Sequence, residues 1–384
     1  MILRTPFSSH TFSHECFIKL LGIVLTIAFA CRVVVTFSLD LPWASGDTRA
    51  YLDMATNILA GTPRAYLPNG YPLFIAGMRA VLGEALLIPA LQIVNVLAST
   101  ATVGVIAVLG RRIAGERIGV FAALGVALYP NQINAVRYLL TESITGFLLV
   151  IGMLLFLVPR RLLSGAAFYL VTLFRSTYSL LLPILVIISL AFREPKISLS
   201  RFVIGILIPA SLYGLLLVGG VLRPSNNLGV NFLISIHNRS HVGIDWPAPD
   251  DYPEQERAHP VRTYVAFARD HPDEFVIQRL SSLWTLWGPM APMGSGDLRR
   301  SLGSALLLGL RFPLLLLALV GIFRNRGNRA VWVVAAPLFA VTFVHTIFFS
   351  NHRFTVPIEP LLILLAFLGV SAIVTRFRDK AKPA

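Results

Sequence analysis

Apolar runs close to a bilayer's thickness recur along this chain, and no other feature restricts its fold so severely. A helix needs about 20 residues to cross the hydrocarbon. Such segments fall at about 17–38, 86–110, 118–130, 141–158, 162–174, 177–192, 202–222, 302–323, 329–349 and 355–375. The third, fifth and sixth are short, and flanking residues or locally thinned membrane can accommodate them. A barrel would show alternating ten-residue segments instead of continuous runs. The expectation is an all-α polytopic membrane protein with about ten transmembrane helices. Composition agrees: 14% of residues are charged, whereas a soluble domain carries roughly a quarter. Cys16 and Cys31 both lie in or beside the first apolar segment, which excludes a disulfide framework. AFA at 28–30 has the form of a signal-peptidase site, but the apolar character continues through VVVTFSL, so a retained helix is expected.

The formal net charge of +14 could point to nucleic acid, but its distribution points to topology. With the N-terminus inside, one side receives RRIAGER, PRR, REPKISLSR, RNRGNR and the tail RFRDKAK. With Arg4 and Lys19, that side holds 17 Lys/Arg, including all four lysines, against four acids; the rest of the chain sets 16 Arg against 15 acids. This is the positive-inside pattern. It places both termini, including the tail 376–384, in the cytoplasm and leaves no nucleic-acid surface to explain.

Two segments do not span, and both are expected on the extracytoplasmic face. Residues 39–85 read as an amphipathic helix (TRAYLDMATNILAG), a turn-rich link and a short helix entered through Pro72, which suits the interface. Residues 223–300 are polar and Pro-rich, with a helical stretch from about 261 to 288. The outer side also collects Asp40, Asp47, Arg49, Asp53, Arg137, Glu142, Arg175, His237, Asn238, His352 and Arg353. Arginine binds phosphate bidentately, and a desolvated carboxylate can take a proton from a hydroxyl. Such a face suits a substrate with an anionic head and a greasy tail.

Five stretches carry a family resemblance in order: Asp47, Tyr51, Ala55 and Gly61 followed by GYPLFIAG from Gly70; YPNQINAVRYLLTES with Glu142; LFRSTYSLLLP with Arg175; NNLGVNFLISIHN from Asn226; and HRFTVPIEPLLILLA from His352. ARDHPDEFVIQRLSSLWTLW matches a late outer-loop helix. From about residue 17 to 375 the chain resembles the GT-C superfamily of membrane glycosyltransferases, in the branch of dolichyl-phosphate-mannose–protein mannosyltransferases and aminoarabinose transferases. Two departures stand out: Thr48 follows Asp47 where a paired acid is usual, and the large C-terminal soluble domain of some family members is not expected. The resemblance implies a GT-C-like helical bundle forming a single transmembrane domain over 1–384, with interfacial helices in its first outer loop. It also implies inverting transfer of a sugar from a polyprenyl-phosphate donor to a hydroxyl on a lipid, protein or glycan acceptor. Asp47 would be the base. Arg353, Arg175, His352 and Arg137 would hold the donor phosphate, and Glu142, Tyr51, Tyr71, His237 and Asn238 would bind substrate. No metal or other cofactor is expected, and the setting is a plasma membrane of bacterial type.

Plainer roles compete for these residues. Asp47 fits an N-cap, Glu142 a helix-dipole partner, Arg175 and His352 interfacial anchors, and His237 and Asn238 the local fold of their loop. Arg32, inside the first span, is expected to pair with an acid or line the cavity. A transporter or flippase of lipid-linked sugars would show inverted repeats and polar residues at the midplane of broken helices, and a non-catalytic binder of lipid-linked sugars would not need Asp47.

Overall fold

The computed structural model describes residues 13–38, 43–44, 46–64, 66–225, 227–237, 252–288 and 298–380. Asp40, Asn226 and Asn238 lie outside them. Among the described residues every regular element is helical. They run α1 His14–Val33, α2 Gly46–Leu59, α3 Gly70–Leu82, α4 Glu84–Ala114, α5 Glu116–Leu128, α6 Pro130–Ala135, α7 Glu142–Leu157, α8 Arg161–Phe174 and α9 Leu181–Ala191. The second half comprises α10 Lys196–Val218, α11 Asn227–His237, α12 Glu254–Ala258, α13 Pro260–Asp270, α14 Pro272–Trp287, α15 Leu298–Arg324, α16 Arg329–Ile347 and α17 Glu359–Lys380. A π-helical turn, Val34–Ser38, continues α1, and 3₁₀ segments occupy Ser176–Leu180 and His352–Ile358.

All ten apolar segments expected from the sequence are helical. Five stretches of the described residues are long and apolar enough to cross a membrane: His14–Ser38, Glu84–Ala114, Lys196–Val218, Arg329–Ile347 and His352–Arg378. The others are shorter or less apolar, so the protein is an integral membrane protein by these five, and the count of ten remains an expectation. α10 carries an outward row of Leu207, Ile208, Leu212, Leu215 and Val218, all exposed, as a lipid-facing helix does.

The bundle is held by close backbone approach where water cannot drive packing. α15 and α17 cross at facing glycines: a Cβ on Gly369 would sit 2.0 Å from the Leu317 carbonyl oxygen, and one on Gly321 2.3 Å from that of Leu365. Small residues at such crossings are the usual device in membranes. At the basic end of the bundle, Arg161 donates to both oxygens of Glu194 (2.5 and 2.6 Å), and Arg329 pairs with the same carboxylate. Three of the loops expected on the cytoplasmic side therefore meet in one ion cluster.

Arg32 departs from its expectation. It is fully buried, yet no acid among the described residues faces it: Nε donates to Ser99 Oγ (2.7 Å), and its guanidinium donates to the carbonyls of Ala28 (3.0 Å), Ala127 (3.2 Å) and Val126 (3.4 Å). Two of these are end carbonyls of α5 without partners inside their own helix. The negative end of that helix takes the place of a carboxylate.

Candidate active site

Between α7, α8 and the two short helices α2 and α3, a second apolar cluster supports the non-spanning part of the fold. Tyr51, Ala55, Tyr71, Ile75, Leu87, Leu91, Ile144 and Phe174 are buried in it. Above it opens a cavity of about 340 Å³ reached by α2, α11, α16 and both 3₁₀ segments or their flanks. Its charged lining consists of Asp47, Arg175 and Arg353, with His345 beside them; Tyr51, Tyr66, Ser176, Thr177 and Asn231 add hydroxyl and amide groups. The remainder is apolar and aromatic, including Phe174, Val230, Ile234, Phe348 and Phe354.

Each charged side chain is placed by a local feature of its sequence. Asp47 lies in the first turn of α2, where the helix dipole favours a carboxylate; it belongs to that turn instead of capping it. Tyr51 follows one turn later on the same face and also lines the cavity. Burial, with the Asp47 carboxylate next in weight, pushes its phenol well above the ordinary tyrosine range. It therefore remains a hydrogen-bond donor at neutral pH. Arg175 sits where α8 breaks into the 3₁₀ segment, with extended backbone angles (φ −145°, ψ 103°) that swing its side chain off the helix line.

Arg353 is presented by the segment His352–Ile358, whose start is capped by Asn351: the Asn351 side chain accepts from the Arg353 amide at 3.0 Å. The far end of that segment is pinned from below by Glu359. This carboxylate is fully buried, accepts from Asn131 (2.7 Å), Gln132 (3.1 Å) and Thr355 (3.2 Å), and lies 3.6 Å from Arg311. Gln132 also donates to the Val356 carbonyl at 2.7 Å. A buried charge so completely partnered is costly to disturb, so the turn carrying Arg353 is rigidly seated.

The geometry joins residues distant in the chain. Arg353 Nη2 donates to Asp47 Oδ2, and both side chains remain about a quarter exposed, open to the cavity. Arg175 Nη2 stands 3.4 Å from Glu142 Oε1. The guanidinium carbons of Arg175 and Arg353 lie 5.4 and 5.7 Å from the centre of the Phe354 ring, which also stacks on His345 at 4.4 Å. One aromatic ring thus spaces two cations at the mouth of one cavity.

The other candidates divide. Glu142 and Tyr71 lie behind the cavity instead of on it. Glu142 is buried at the start of α7 against Arg175, and Tyr71 meets Tyr51 edge to face at 5.0 Å; among the described residues Glu142 Oε2 and the Tyr71 hydroxyl have no hydrogen-bond partner. Arg137 turns onto its neighbour, with its guanidinium 4.3 Å above the Tyr138 ring and hydrogen-bonded to that hydroxyl, and so is not in the cavity. The His352 side chain is exposed and absent from the lining, because the 3₁₀ turn sends consecutive residues to different sides. His237 Nε2 is hydrogen-bonded to Glu256 Oε2 at 2.6 Å, away from the cavity. The sequence reading missed His345, Asn231 and the Glu359–Arg311 pair. The signal for the last was present, as ionisable residues inside apolar runs.

Among the described residues no three His, Cys, Asp or Glu side chains group as a metal site would require.

No protein-family model and no curated protein matches the sequence. The fold does have relatives among solved structures. It is similar to the oligosaccharyltransferase of Archaeoglobus fulgidus in its apo form (TM-score 0.58, 13% identity) and tethered to an acceptor peptide containing the NVT sequon (0.59, 14%). It is likewise similar to that organism's oligosaccharyltransferase AglB in complex with an inhibitory peptide and a dolichol-phosphate (0.55, 15%). These alignments cover 95–96% of this chain but 51–52% of the archaeal one, so the chain spans about half the length of those structures. The fold is therefore similar to about half of that archaeal oligosaccharyltransferase.

Proposed function

We propose that the protein is an inverting GT-C glycosyltransferase that moves a sugar from a polyprenyl-phosphate donor to an acceptor hydroxyl at the extracytoplasmic face. The observation that carries this reading is the meeting of Asp47 with Arg353, beside Arg175, in a cavity polar on one side and aromatic on the other. A base and two phosphate-binding cations are the minimum such a transfer needs.

The donor phosphate docks on Arg353 and on Arg175, whose Nη1 has no hydrogen-bond partner among the described residues. Forked guanidinium–phosphate hydrogen bonds supply both charge and orientation. Phosphate on Arg353 draws that side chain off Asp47, so the carboxylate becomes a free acceptor only once the donor is in place. Asp47 then takes the proton of the acceptor hydroxyl. The acceptor oxygen forms its bond to the anomeric carbon as the bond from that carbon to the phosphate oxygen breaks, and the electron pair leaves on polyprenyl phosphate. Arg353 and Arg175 stabilise the charge that develops there. Attack opposite the leaving group inverts the anomeric centre. The first prenyl units pack against Phe348, Val230 and Ile234. In this reading ten helices span the membrane, both termini are cytoplasmic, and residues 39–85 and 223–300 form the two outer loops of a bacterial-type plasma membrane protein. Structures of similar fold, one tethered to an acceptor peptide and one in complex with an inhibitory peptide and a dolichol-phosphate, support a lipid-linked donor in kind.

The test is release of polyprenyl phosphate from a panel of polyprenyl-phosphate sugars by protein in nanodiscs, with membrane extract supplying acceptors. Release from at least one donor, dependent on the extract, supports transfer. Donor that binds or crosses the bilayer with its sugar still attached would instead make the protein a binder or flippase.

A further inference from the structure

Up to its last turn, where Leu286 and Trp287 are buried, the helix α14 is inside out. Its inward positions carry Gln278 and Ser282, both buried, and the half-buried Arg279; its outward positions carry Val276, Ile277, Leu280 and Trp284, each more than half exposed. These four recur at helical spacing and form one stripe. In a water-facing helix the polarity would be reversed.

Its depth is fixed by its partners. Arg279 donates to the carbonyls of Ile347 and, at 3.0 Å, Phe348, at the end of α16. Eight residues further along α14, Trp287 Nε1 donates to Thr342 Oγ1 at 3.0 Å, well inside α16. Advancing along α14 therefore means descending beside α16, a helix long and apolar enough to cross the membrane. Arg311 donates to the Leu286 carbonyl at 2.9 Å, and Leu298, where α15 begins, lies about 20 Å of helix from that level at 1.5 Å per residue. α14 ends partway down the bundle, and α15 starts again from the cavity side. On either side of Thr342, α16 itself exposes Phe339 and Phe343.

We infer that α14 is a re-entrant helix whose stripe of Val276, Ile277, Leu280 and Trp284 is immersed in acyl chains of the leaflet on the cavity side. Its inner face braces the cavity's wall: besides the end of α16, Arg279 holds the Ser235 carbonyl of α11 at 2.7 Å. The occupant of the outer face is bilayer lipid, not a protein partner, because α14 runs beside a membrane-crossing helix while Gln278, Arg279 and Ser282 turn inward from it. This holds whether or not the cavity transfers sugar.

The test uses the full chain with Cys16→Ser and Cys31→Ser, carrying single nitroxide labels at Ile277→Cys, Leu280→Cys or, as a water-facing control, Asp270→Cys, in nanodiscs. Collision with oxygen and with a water-soluble nickel chelate is read by electron paramagnetic resonance. The inference expects oxygen to dominate several-fold at 277 and 280 and nickel to dominate at 270. Nickel dominance at 277 and 280 would place the stripe in water and overturn it. Weak collision with both reagents at those positions would mean a protein covers the face and would overturn it equally.

Discussion

Asp47 and Arg353 stand 306 residues apart in the chain and share a hydrogen bond; the account assigns them opposite tasks, proton acceptor and phosphate anchor. Arg353→Lys keeps the charge but loses the forked donor geometry, so the KM for donor should rise about tenfold, equivalent to about 1.4 kcal/mol, measured by steady-state release of polyprenyl phosphate. Glu142→Gln strands a mostly buried Arg175. Breaking a buried pair from one side costs about 3–5 kcal/mol, so this variant should lose stability as well as activity, seen as a lowered thermal midpoint in detergent. His352→Ala, by contrast, should leave donor binding within about twofold, because that side chain is exposed and off the cavity; a larger loss would bring His352 back into the site. At this scale the sequence was informative where a charge sat at an apolar helix's end, as with Asp47, Arg175 and Arg353. It could not separate Arg353 from its neighbour His352, since the direction of each side chain follows from the 3₁₀ turn set by Asn351 and Glu359. Nor could it see that Arg137 has Tyr138 within reach.

Elements were the most legible level. The apolar runs gave the location of the five helices long and apolar enough to cross a membrane, and the break between α8 and α9 fell at Arg175 as the two short segments around it implied. What the runs could not convey was polarity relative to a neighbour. α14 reads as an ordinary outer-loop helix until its buried Gln278 and Ser282 are set against its exposed Ile277 and Leu280. Glycine crossings were equally invisible, because a glycine in an apolar run gives no sign of which helix it meets. Gly369→Leu would drive side-chain atoms into the α15 backbone at Leu317. Overpacking of this kind costs at least about 1–3 kcal/mol, so the thermal midpoint should fall. Gly309→Ala, where an added Cβ meets nothing within 4 Å, should leave it unchanged or slightly raised.

For the whole molecule, charge asymmetry predicts the topology, and the Arg161–Glu194–Arg329 cluster ties three of the basic loops together at one end. In a cysteine-free background, Ser198→Cys and Arg326→Cys should react with an impermeant maleimide from the cytoplasmic side alone, and Tyr66→Cys and Asp270→Cys from the other side alone. Labelling of both pairs from one side would refute the arrangement and with it the outward-facing cavity. A fold shared with an archaeal oligosaccharyltransferase over about half of that chain's length fixes the bundle and says nothing about which residue takes the proton. That question belongs to Asp47, and one comparison decides it: release of polyprenyl phosphate by wild type and by Asp47→Asn, with donor binding measured separately for each. A general base contributes about 10²–10⁴-fold. The account predicts a loss of that size in release, with donor bound at least as tightly, because Arg353 no longer has a carboxylate to leave. Release at near wild-type rate by Asp47→Asn would contradict it and return Asp47 to the role of a first-turn helix residue.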